Sequence, residues 1–227
     1  MRIKERSYSG HSARPKPLIR EEFGGELLVV ATTWGNVDAG TGIVEEIVKY
    51  ISAARGDVEV TSPFEFMTCY TSEANALRVA ALLANDQLYR GENKSEYNSV
   101  IEIVALWKRE KQISWVQCGG PQIYMKKPGQ DLYALSVGID NTRDILKMSG
   151  EVSPLPALGL GLESSCCLNV GSCVMEQDDH LVLFSSSKTP RDLWQVEDDE
   201  LDLQKIVKKI GPQMNDQPFW LALLDAQ

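Results

Sequence analysis

The stretch that decides the fold reads Asp178-Asp179-His180-Leu181-Val182-Leu183-Phe184-Ser185-Ser186-Ser187-Lys188-Thr189-Pro190. Its four consecutive apolar residues, 181–184, predict a buried strand. Three serines follow the strand, and Thr189 with Pro190 predicts a helix cap and a first helical residue. The backbone N–H groups of Ser185–Ser187 at the start of that helix are suited to holding a phosphate. The stretch therefore predicts a buried strand with a polar site at its end.

The composition limits the class of protein. The chain has 227 residues, of which 43% are hydrophobic and 24% are charged, which is typical of a soluble globular protein. Its formal net charge of −9 argues against a nucleic-acid partner and against an anionic membrane surface, because both carry negative charge. No internal repeat or low-complexity linker is visible. We predict a single domain over residues 1–227.

The sequence shows no secretion signal, no membrane span and no cysteine pattern typical of a disulfide-rich or zinc-binding protein. Its start lacks the apolar core of a secretion signal, and no run approaches the ~20 apolar residues of a membrane span. We therefore expect a cytoplasmic protein. The cysteines are odd in number and contain no C-x-x-C pair, which argues for buried reduced thiols over a disulfide framework or a structural zinc site. They are Cys69, Cys118, Cys166, Cys167 and Cys173.

The first twenty residues form a basic segment in an acidic chain. They contain one acidic residue, Glu5, and six cations: Arg2, Lys4, Arg6, Arg14, Lys16 and Arg20. We interpret residues 1–20 as a solvated basic arm that leads into the first strands, with docking or a phosphate contact as the alternative.

Hydrophobic periodicity predicts an α+β protein. The first part of the chain predicts a strand at 26–31 and amphipathic helices at 40–55 and 72–89. The middle predicts an antiparallel meander of strands at 99–107, 113–117, 122–125 and 131–137. The last part predicts a helix around Leu203–Ile210, stopped by Gly211-Pro212, and a final strand at 218–224. This order implies two packed antiparallel sheets with helices outside.

The deciding stretch resembles the D-x-L-L-L-x-S-D-G-L segment of the metal-dependent protein phosphatases of the PP2C (PPM) family. Further landmarks follow in the family's order, from about Gly10 to Leu224. The resemblance implies a PP2C-like four-layer αββα sandwich, in which helix pairs flank two antiparallel sheets. In the family, the aspartate after the first serine of this segment holds a catalytic metal ion. Ser186 stands at that position.

The other landmarks have lost most of their polar residues. Where the family has R-x-x-N-E-D, this chain has Arg14-Pro15-Lys16-Pro17-Leu18-Ile19, so only the arginine that contacts substrate phosphate is matched. Val30-Ala31-Thr32-Thr33-Trp34-Gly35-Asn36 resembles V-A-D-G-x-G-G, with Thr32 at the metal-bridging aspartate and Thr33 at its glycine partner. Residues 119–125 resemble G-D-S-R-A-Y-L and keep the tyrosine as Tyr124. The final D-N-x-T landmark keeps its acid as Asp216.

The lost acids decide the functional prediction. In the family, a pair of divalent ions activates a water for attack on a phosphomonoester, and such ions need several carboxylate oxygens. We therefore predict no catalytic residues, no metal site and no cofactor. The degenerate site positions Arg14, Thr32, Thr33, Ser186 and Asp216 become candidate binding residues. The hypothesis is a pseudophosphatase that acts as a protein-binding or regulatory module in phosphorylation-linked signalling, with a kinase or a phosphoprotein as partner.

Other interpretations stay open on the sequence. The chain could be a divergent metal-dependent serine/threonine phosphatase whose Mg²⁺ or Mn²⁺ site is rebuilt from Asp216 with Asp38 or Asp179. It could also be a structural subunit of a larger assembly. A Ser-His-Asp arrangement would need His180 to reach Ser185 or Ser187. If Arg14 lines the old phosphate pocket, the protein would bind phosphopeptides without hydrolysing them.

Overall fold

The computed structural model describes residues 1–9, 14–56, 62–138, 156–215 and 217–225. The chain folds into two compact units, each made of segments that are not contiguous in sequence. Unit 1 comprises Met1–Lys16, Gly119–Ala157 and Met175–Gln227, and unit 2 comprises Pro17–Cys118 and Leu158–Val174. The single domain over residues 1–227 stays a prediction.

The described residues form ten strands and four α-helices. The strands are β1 (Arg2–Tyr8), β2 (Leu18–Glu22), β3 (Leu27–Gly35), β4 (Ser99–Arg109), β5 (Gln112–Cys118), β6 (Gln122–Lys126), β7 (Tyr133–Ala134), β8 (Asn169–Val174), β9 (His180–Ser186) and β10 (Phe219–Asp225). The helices are α1 (Val37–Gly56), α2 (Ser72–Gln87), α3 (Arg191–Trp194) and α4 (Leu203–Met214). None of these helices is long and apolar enough to cross a membrane.

Unit 2 is an antiparallel sheet with two helices on one face. The strand order is β2-β3-β4-β5-β8. The buried face of α1, which includes Ile43, Ile47 and Ile51, packs on alternate residues of β3 and β4. Thr71 caps α2, because its side chain accepts a hydrogen bond from the Ala74 N–H at 3.2 Å. Both long helices predicted from periodicity are therefore present.

Unit 1 is a second antiparallel sheet, with the order β1-β10-β9-β6-β7. The predicted buried strand is β9, which pairs with β10 on one side and with β6 on the other. One face of the sheet carries Phe184 and Leu221, which form a core with Ile206 and Ile210 of α4. The two antiparallel sheets and the helices of the α+β prediction are thus found, and the central strand is the one that the sequence favours most.

The basic arm predicted over residues 1–20 is not a solvated segment at residues 2–8. Residues 2–8 form β1, which pairs along its whole length with β10, from Arg2 opposite Asp225 to Tyr8 opposite Phe219. The strand is difficult to detect because the alternation of partly buried and exposed residues is short and its exposed positions are charged. Its partner lies at the other end of the sequence, so no local pattern indicates the pairing.

The predicted meander is correct for two hairpins, β4–β5 and β6–β7, and wrong for the pairing of β5 with β6. β4 and β5 pair with each other, and Glu110 takes a left-handed conformation (φ 55°) in the turn between them. β6 pairs with β9 and β7 in unit 1, since the chain leaves the sheet of unit 2 after Cys118. The strand predicted at 131–137 is reduced to β7. The short spacing predicted β5 and β7 as the neighbours of β6, but β9 takes the place of β5.

The prediction that Gly211-Pro212 stops the last helix is also wrong. Pro212 lies inside α4, which continues to Met214 and ends at Asn215 in the left-handed conformation (φ 46°). A proline removes one backbone hydrogen bond, and burial of Met214 holds the last turn in place. The helix predicted after Thr189 is the four-residue α3, which begins at Arg191.

The acidic run 197–202 fixes the start of α4 and neutralises a buried lysine. Asp202 caps α4 by accepting hydrogen bonds from the backbone N–H groups of Gln204 and Lys205. Lys126 of β6 is only 3% exposed, and its Nζ lies 2.6 Å from Oδ1 of Asp198. The other oxygen of Asp198 accepts from the Gly129 N–H at 2.7 Å. The run is therefore more than a solvated patch, since one of its acids holds the turn after β6.

This ion pair predicts a loss of stability in acid. The hydrogen bond from Lys126 is the main reason why the pKa of Asp198 lies below its ordinary value, and the Gly129 N–H adds to the effect. A carboxyl whose pKa is lowered by folding stabilises the protein above its unfolded pKa of about 4, and this contribution disappears as the pH falls through the folded pKa. We expect Asp198→Asn to be less stable than the wild type at pH 7, with the difference shrinking below about pH 4.

Chemical denaturation of both proteins between pH 7 and pH 3 measures this difference. Asp199→Asn, one residue along the same exposed turn, is the matched control and should follow the wild type at every pH. A pH-independent deficit of Asp198→Asn would contradict the assignment.

Candidate functional site

The predicted site positions are divided between the two units. Thr32 and Thr33 belong to unit 2, whereas Arg14 and Ser186 belong to unit 1. Asp216 lies outside the described residues. Arg14 is partly exposed and takes part in an interaction of its own.

Thr32 is a buried polar residue near the end of β3. It is 0% exposed, and its Oγ1 has no hydrogen-bond partner in the described part of the chain. Leu27, Val29 and Ala31 pack towards the helices of unit 2, so the alternation of the strand directs Thr32 to the opposite face. A buried hydroxyl without a partner carries a desolvation cost, because it gives up its hydrogen bonds to water.

Glu102 is a buried carboxylate beside Thr32 that sequence reasoning missed. It lies directly opposite Thr32 in the β3–β4 ladder and is 1% exposed. Its Oε2 accepts a hydrogen bond from the indole Nε1 of Trp34 at 2.9 Å. The signal was available in the sequence, since Glu102 is the one charged residue among the apolar residues 100–107. A charge at the centre of a buried strand is rare unless it is paired or functional.

Thr33 faces the opposite way, towards α1. A Cβ placed on Gly40 of α1 would lie 1.9 Å from Oγ1 of Thr33, so the threonine side chain occupies the space that the glycine leaves. Asp38 is exposed in the first turn of α1. Thr32 and Thr33 are adjacent in sequence, but they do not present their hydroxyls to a common point.

In unit 1, the hydroxyl of Ser186 is occupied by the backbone. Its Oγ donates a hydrogen bond to the carbonyl oxygen of Pro218 at 3.1 Å. Ser185 is buried, and its Oγ has no partner among the described residues. The helix that was predicted to begin at Pro190 begins at Arg191 and has only four residues. The phosphate site predicted for the backbone of Ser185–Ser187 therefore lacks the helix that it requires.

A cluster of three polar side chains lies next to β9. Tyr124 is buried in β6, and its hydroxyl donates to Oε1 of Gln122. Oγ1 of Thr189 lies 3.4 Å from the same hydroxyl. Burial raises the pKa of Tyr124, while the hydrogen bond with Thr189 acts in the other direction. The cluster is neutral, so it provides no counter-charge for an anion.

His180 and Asp179 lie at the start of β9, whereas the serines lie at its other end. His180 and Ser186 are the two ends of this strand, roughly 20 Å apart at 3.3 Å per residue. Nδ1 of His180 lies 3.2 Å from Oδ1 of Asp225, and Asp179 accepts a hydrogen bond from the Glu176 N–H. The Ser-His-Asp arrangement is therefore wrong. The site rebuilt from Asp216 with Asp38 or Asp179 stays a prediction, because Asp216 lies outside the described residues.

The donor set does not fit a pair of divalent ions. Hard cations such as Mg²⁺ and Mn²⁺ are held by several carboxylate oxygens. The described positions offer the hydroxyls of Thr32 and Ser186, and the second of these is used as a donor. Glu102 is the one carboxylate beside Thr32, and the described residues contain no group of three or more His, Cys, Asp or Glu side chains that could hold a metal ion.

Comparison with solved structures gives matches along nearly the whole chain. PppA, a key regulatory component of the T6SS in Pseudomonas aeruginosa, is 19% identical with a TM-score of 0.64, covering 99% of this chain and 97% of that chain. The PPM Ser-Thr phosphatase MsPP from Mycobacterium smegmatis is 13% identical with a TM-score of 0.64, covering 100% and 99%. The serine/threonine phosphatase PstP/Ppp of Mycobacterium tuberculosis is 14% identical with a TM-score of 0.59, covering 99% and 97%.

Comparison of the sequence alone does not detect these relationships. No family model matches the chain, and no curated protein matches it. At such low identities the structural likeness establishes the fold, and it confirms the predicted α+β class.

Proposed function

The chain has the PP2C fold, and from this premise we propose that it is a pseudophosphatase that acts by binding another protein. It serves as a regulatory module in phosphorylation-linked signalling in the cytoplasm. Its partner is a kinase or a phosphoprotein, and it works without a metal ion or other cofactor.

One observation carries the proposal. Thr32 stands where the family has its metal-bridging aspartate, and its hydroxyl is fully buried without a hydrogen-bond partner in the described residues. A neutral oxygen at this point cannot balance two dications, whose binding depends on anionic ligands. Ser186 is a second neutral replacement of a family aspartate, in unit 1. Its hydroxyl donates a hydrogen bond to the carbonyl oxygen of Pro218.

The structural likeness supports a regulatory role in general terms. PppA is described as a regulatory component, while MsPP and PstP/Ppp are described as phosphatases. This chain would share the regulatory role without the hydrolysis, since Thr32 and Ser186 replace acids that hydrolysis needs in the family.

A second candidate is a divergent Mg²⁺- or Mn²⁺-dependent serine/threonine phosphatase, and Glu102 is the observation that favours it. This carboxylate lies opposite Thr32 and could replace the lost acid from the neighbouring strand. The last landmark also keeps its acid in the sequence, as Asp216.

Metal titration and a phosphatase assay separate the two candidates. We expect calorimetry with Mn²⁺ and with Mg²⁺ to show no saturable binding in the micromolar range. Hydrolysis of an aryl phosphate by the full chain should not exceed that of the Asp216→Ala and Glu102→Gln variants. Micromolar binding, together with turnover that either variant abolishes, would overturn the proposal in favour of the phosphatase.

The binding function needs its own experiment. The full chain, immobilised and incubated with native extract, should retain a protein partner that an unrelated acidic protein of the same size does not retain. We expect phosphatase treatment of the extract to weaken this retention if Arg14 contacts a phosphate group. Absence of any specifically retained protein would contradict the proposed role.

A further inference from the structure

The open edge of unit 1 carries a row of positive charge in an acidic protein. β1 is the outermost strand of its sheet and spans seven residues. Among the described residues, β1 pairs with β10 alone, so the N–H and C=O groups of residues 2–7 that point to its other side have no strand partner there. Such an edge is a template for one more strand.

The exposed residues of β1 form a cationic row. Arg2, Lys4 and Arg6 are exposed, and they alternate along the strand, so they share one face. Lys4 lies 3.9 Å from Oδ2 of Asp225, which is a loose and exposed ion pair. The side chains of Arg2 and Arg6 make no ion pair within the described residues. The row therefore keeps most of its charge.

The one acid of β1 does not neutralise this row. Glu5 alternates with the cations and so lies on the other face of the strand. Its Oε2 accepts a hydrogen bond from Nε1 of the buried Trp220 at 2.8 Å, and its Oε1 lies 2.8 Å from Nζ of Lys16. Its charge is thus matched by Lys16 on that face.

From these contacts we propose that β1 is a docking edge for an extended acidic segment of a partner protein, which adds to the sheet as a sixth strand. Backbone hydrogen bonds along the edge give affinity, as in other cases of strand addition. Carboxylates at alternate positions of the incoming strand lie beside Arg2, Lys4 and Arg6 and fix its identity and register. The inference rests on the proposed protein-binding function and names a surface for it.

Charge excludes a second copy of the chain as the occupant. Two β1 strands side by side would place arginine and lysine side chains of the two copies next to each other, and like charges on neighbouring strands are destabilising. An acidic strand at the same place would be attracted by the arginine and lysine side chains. The overall charge of −9 repels such a segment only weakly at the edge, since charges more than about 8 Å away are screened at physiological ionic strength.

Synthetic peptides test the proposal on the full chain. The probe is a peptide of about nine residues in which glutamate alternates with valine and threonine. We expect saturable binding by fluorescence anisotropy that weakens as salt is raised. The Lys4→Glu/Arg6→Glu double variant should bind at least about tenfold more weakly. The control variant Lys49→Glu/Lys94→Glu makes the same charge change at two exposed lysines of unit 2 and should bind like the wild type.

N-methylated peptides separate strand addition from simple attraction of opposite charges. Two versions of the probe carry N-methyl groups on odd or on even residues and keep every carboxylate. In strand addition only one edge of the peptide pairs with β1, so one version should lose binding and the other should keep it. Equal binding of both versions, or of both double variants, would overturn the inference. Thermal unfolding of the double variants close to that of the wild type checks that they are folded.

The outcomes also separate this inference from the proposed function. If Lys4→Glu/Arg6→Glu retains the same partner from extract as the wild type, the docking edge is contradicted and the binding function is not. If the chain binds the peptide at β1 and also hydrolyses phosphoesters, the docking edge is supported and the pseudophosphatase proposal is contradicted.

Discussion

Replacing Thr32 with aspartate, the residue that the family has at this position, is expected to lower the free energy of unfolding by about 3–5 kcal/mol. The new carboxylate would be fully buried and directly opposite the buried carboxylate of Glu102. Burial disfavours ionisation of the new side chain unless a bound cation compensates for its charge. In an active family member the metal pair provides this compensation, whereas here the described residues around Thr32 offer no such centre.

Urea denaturation with and without Mn²⁺ measures this prediction. We expect the deficit of Thr32→Asp to persist in excess Mn²⁺. Thr32→Val keeps the shape of the side chain and removes the hydroxyl that has no partner, so this control should gain about 1 kcal/mol. A Thr32→Asp variant that Mn²⁺ returns to wild-type stability would show that this end of β3 can hold a cation.

The deficit should also depend on pH. Burial raises the pKa of a carboxyl at this position above its unfolded value of about 4. An acid whose pKa is raised by folding destabilises the protein fully above its folded pKa and not at all below its unfolded pKa. The difference between Thr32→Asp and the wild type should therefore be largest at neutral pH and shrink towards about pH 4.

Gly35→Ala is expected to cost about 3 kcal/mol or more. Gly35 ends β3 with a φ of 104°, a conformation that residues with a side chain rarely adopt. A Cβ there would lie 2.0 Å from the backbone oxygen of Asn98, and a backbone atom cannot rotate away as a side chain can. The strain would act on the turn that follows Thr32 and Thr33.

Gly42→Ala is the matched control. Gly42 lies inside α1, and a Cβ there meets nothing within 4 Å. Alanine favours the helix over glycine, so this variant should gain up to about 1 kcal/mol. Thermal or chemical unfolding compares the two variants directly. Equal stabilities would show that the backbone at Gly35 relaxes easily, contrary to the geometry of this turn.

Sequence patterns predicted the strands and helices whose burial leaves a regular mark in the sequence. The apolar run 181–184 predicted β9, and the four-residue periodicity from Ile43 to Ile51 predicted α1, because burial on one face imposes these patterns. The family resemblance depended on the order of such elements and on a few residues such as Tyr124. It therefore indicated the correct fold even though no family model matches the sequence.

Long-range pairing explains what the sequence did not reveal. β1 is stabilised by β10, and β6 by β9, so neither strand order follows from the spacing of neighbours. Motif order singled out Thr32 and Ser186 as candidate binding residues, and this role stays a prediction. Glu102 was not identified, since the family landmarks place no acid there, although its charge within an apolar run was visible.

The pairing of β1 with β10 has a consequence for synthesis of the protein. Glu5 and Trp220, which share a hydrogen bond across these strands, are 215 residues apart. At about 5–20 residues per second, a ribosome needs roughly 10 to 40 s to produce the second partner after the first. During that interval the nascent β1 has no native neighbour, and its arginines and lysine protect it from aggregation. A chain released early, without its last ten residues, would leave β9 and β1 each without the strand that joins them.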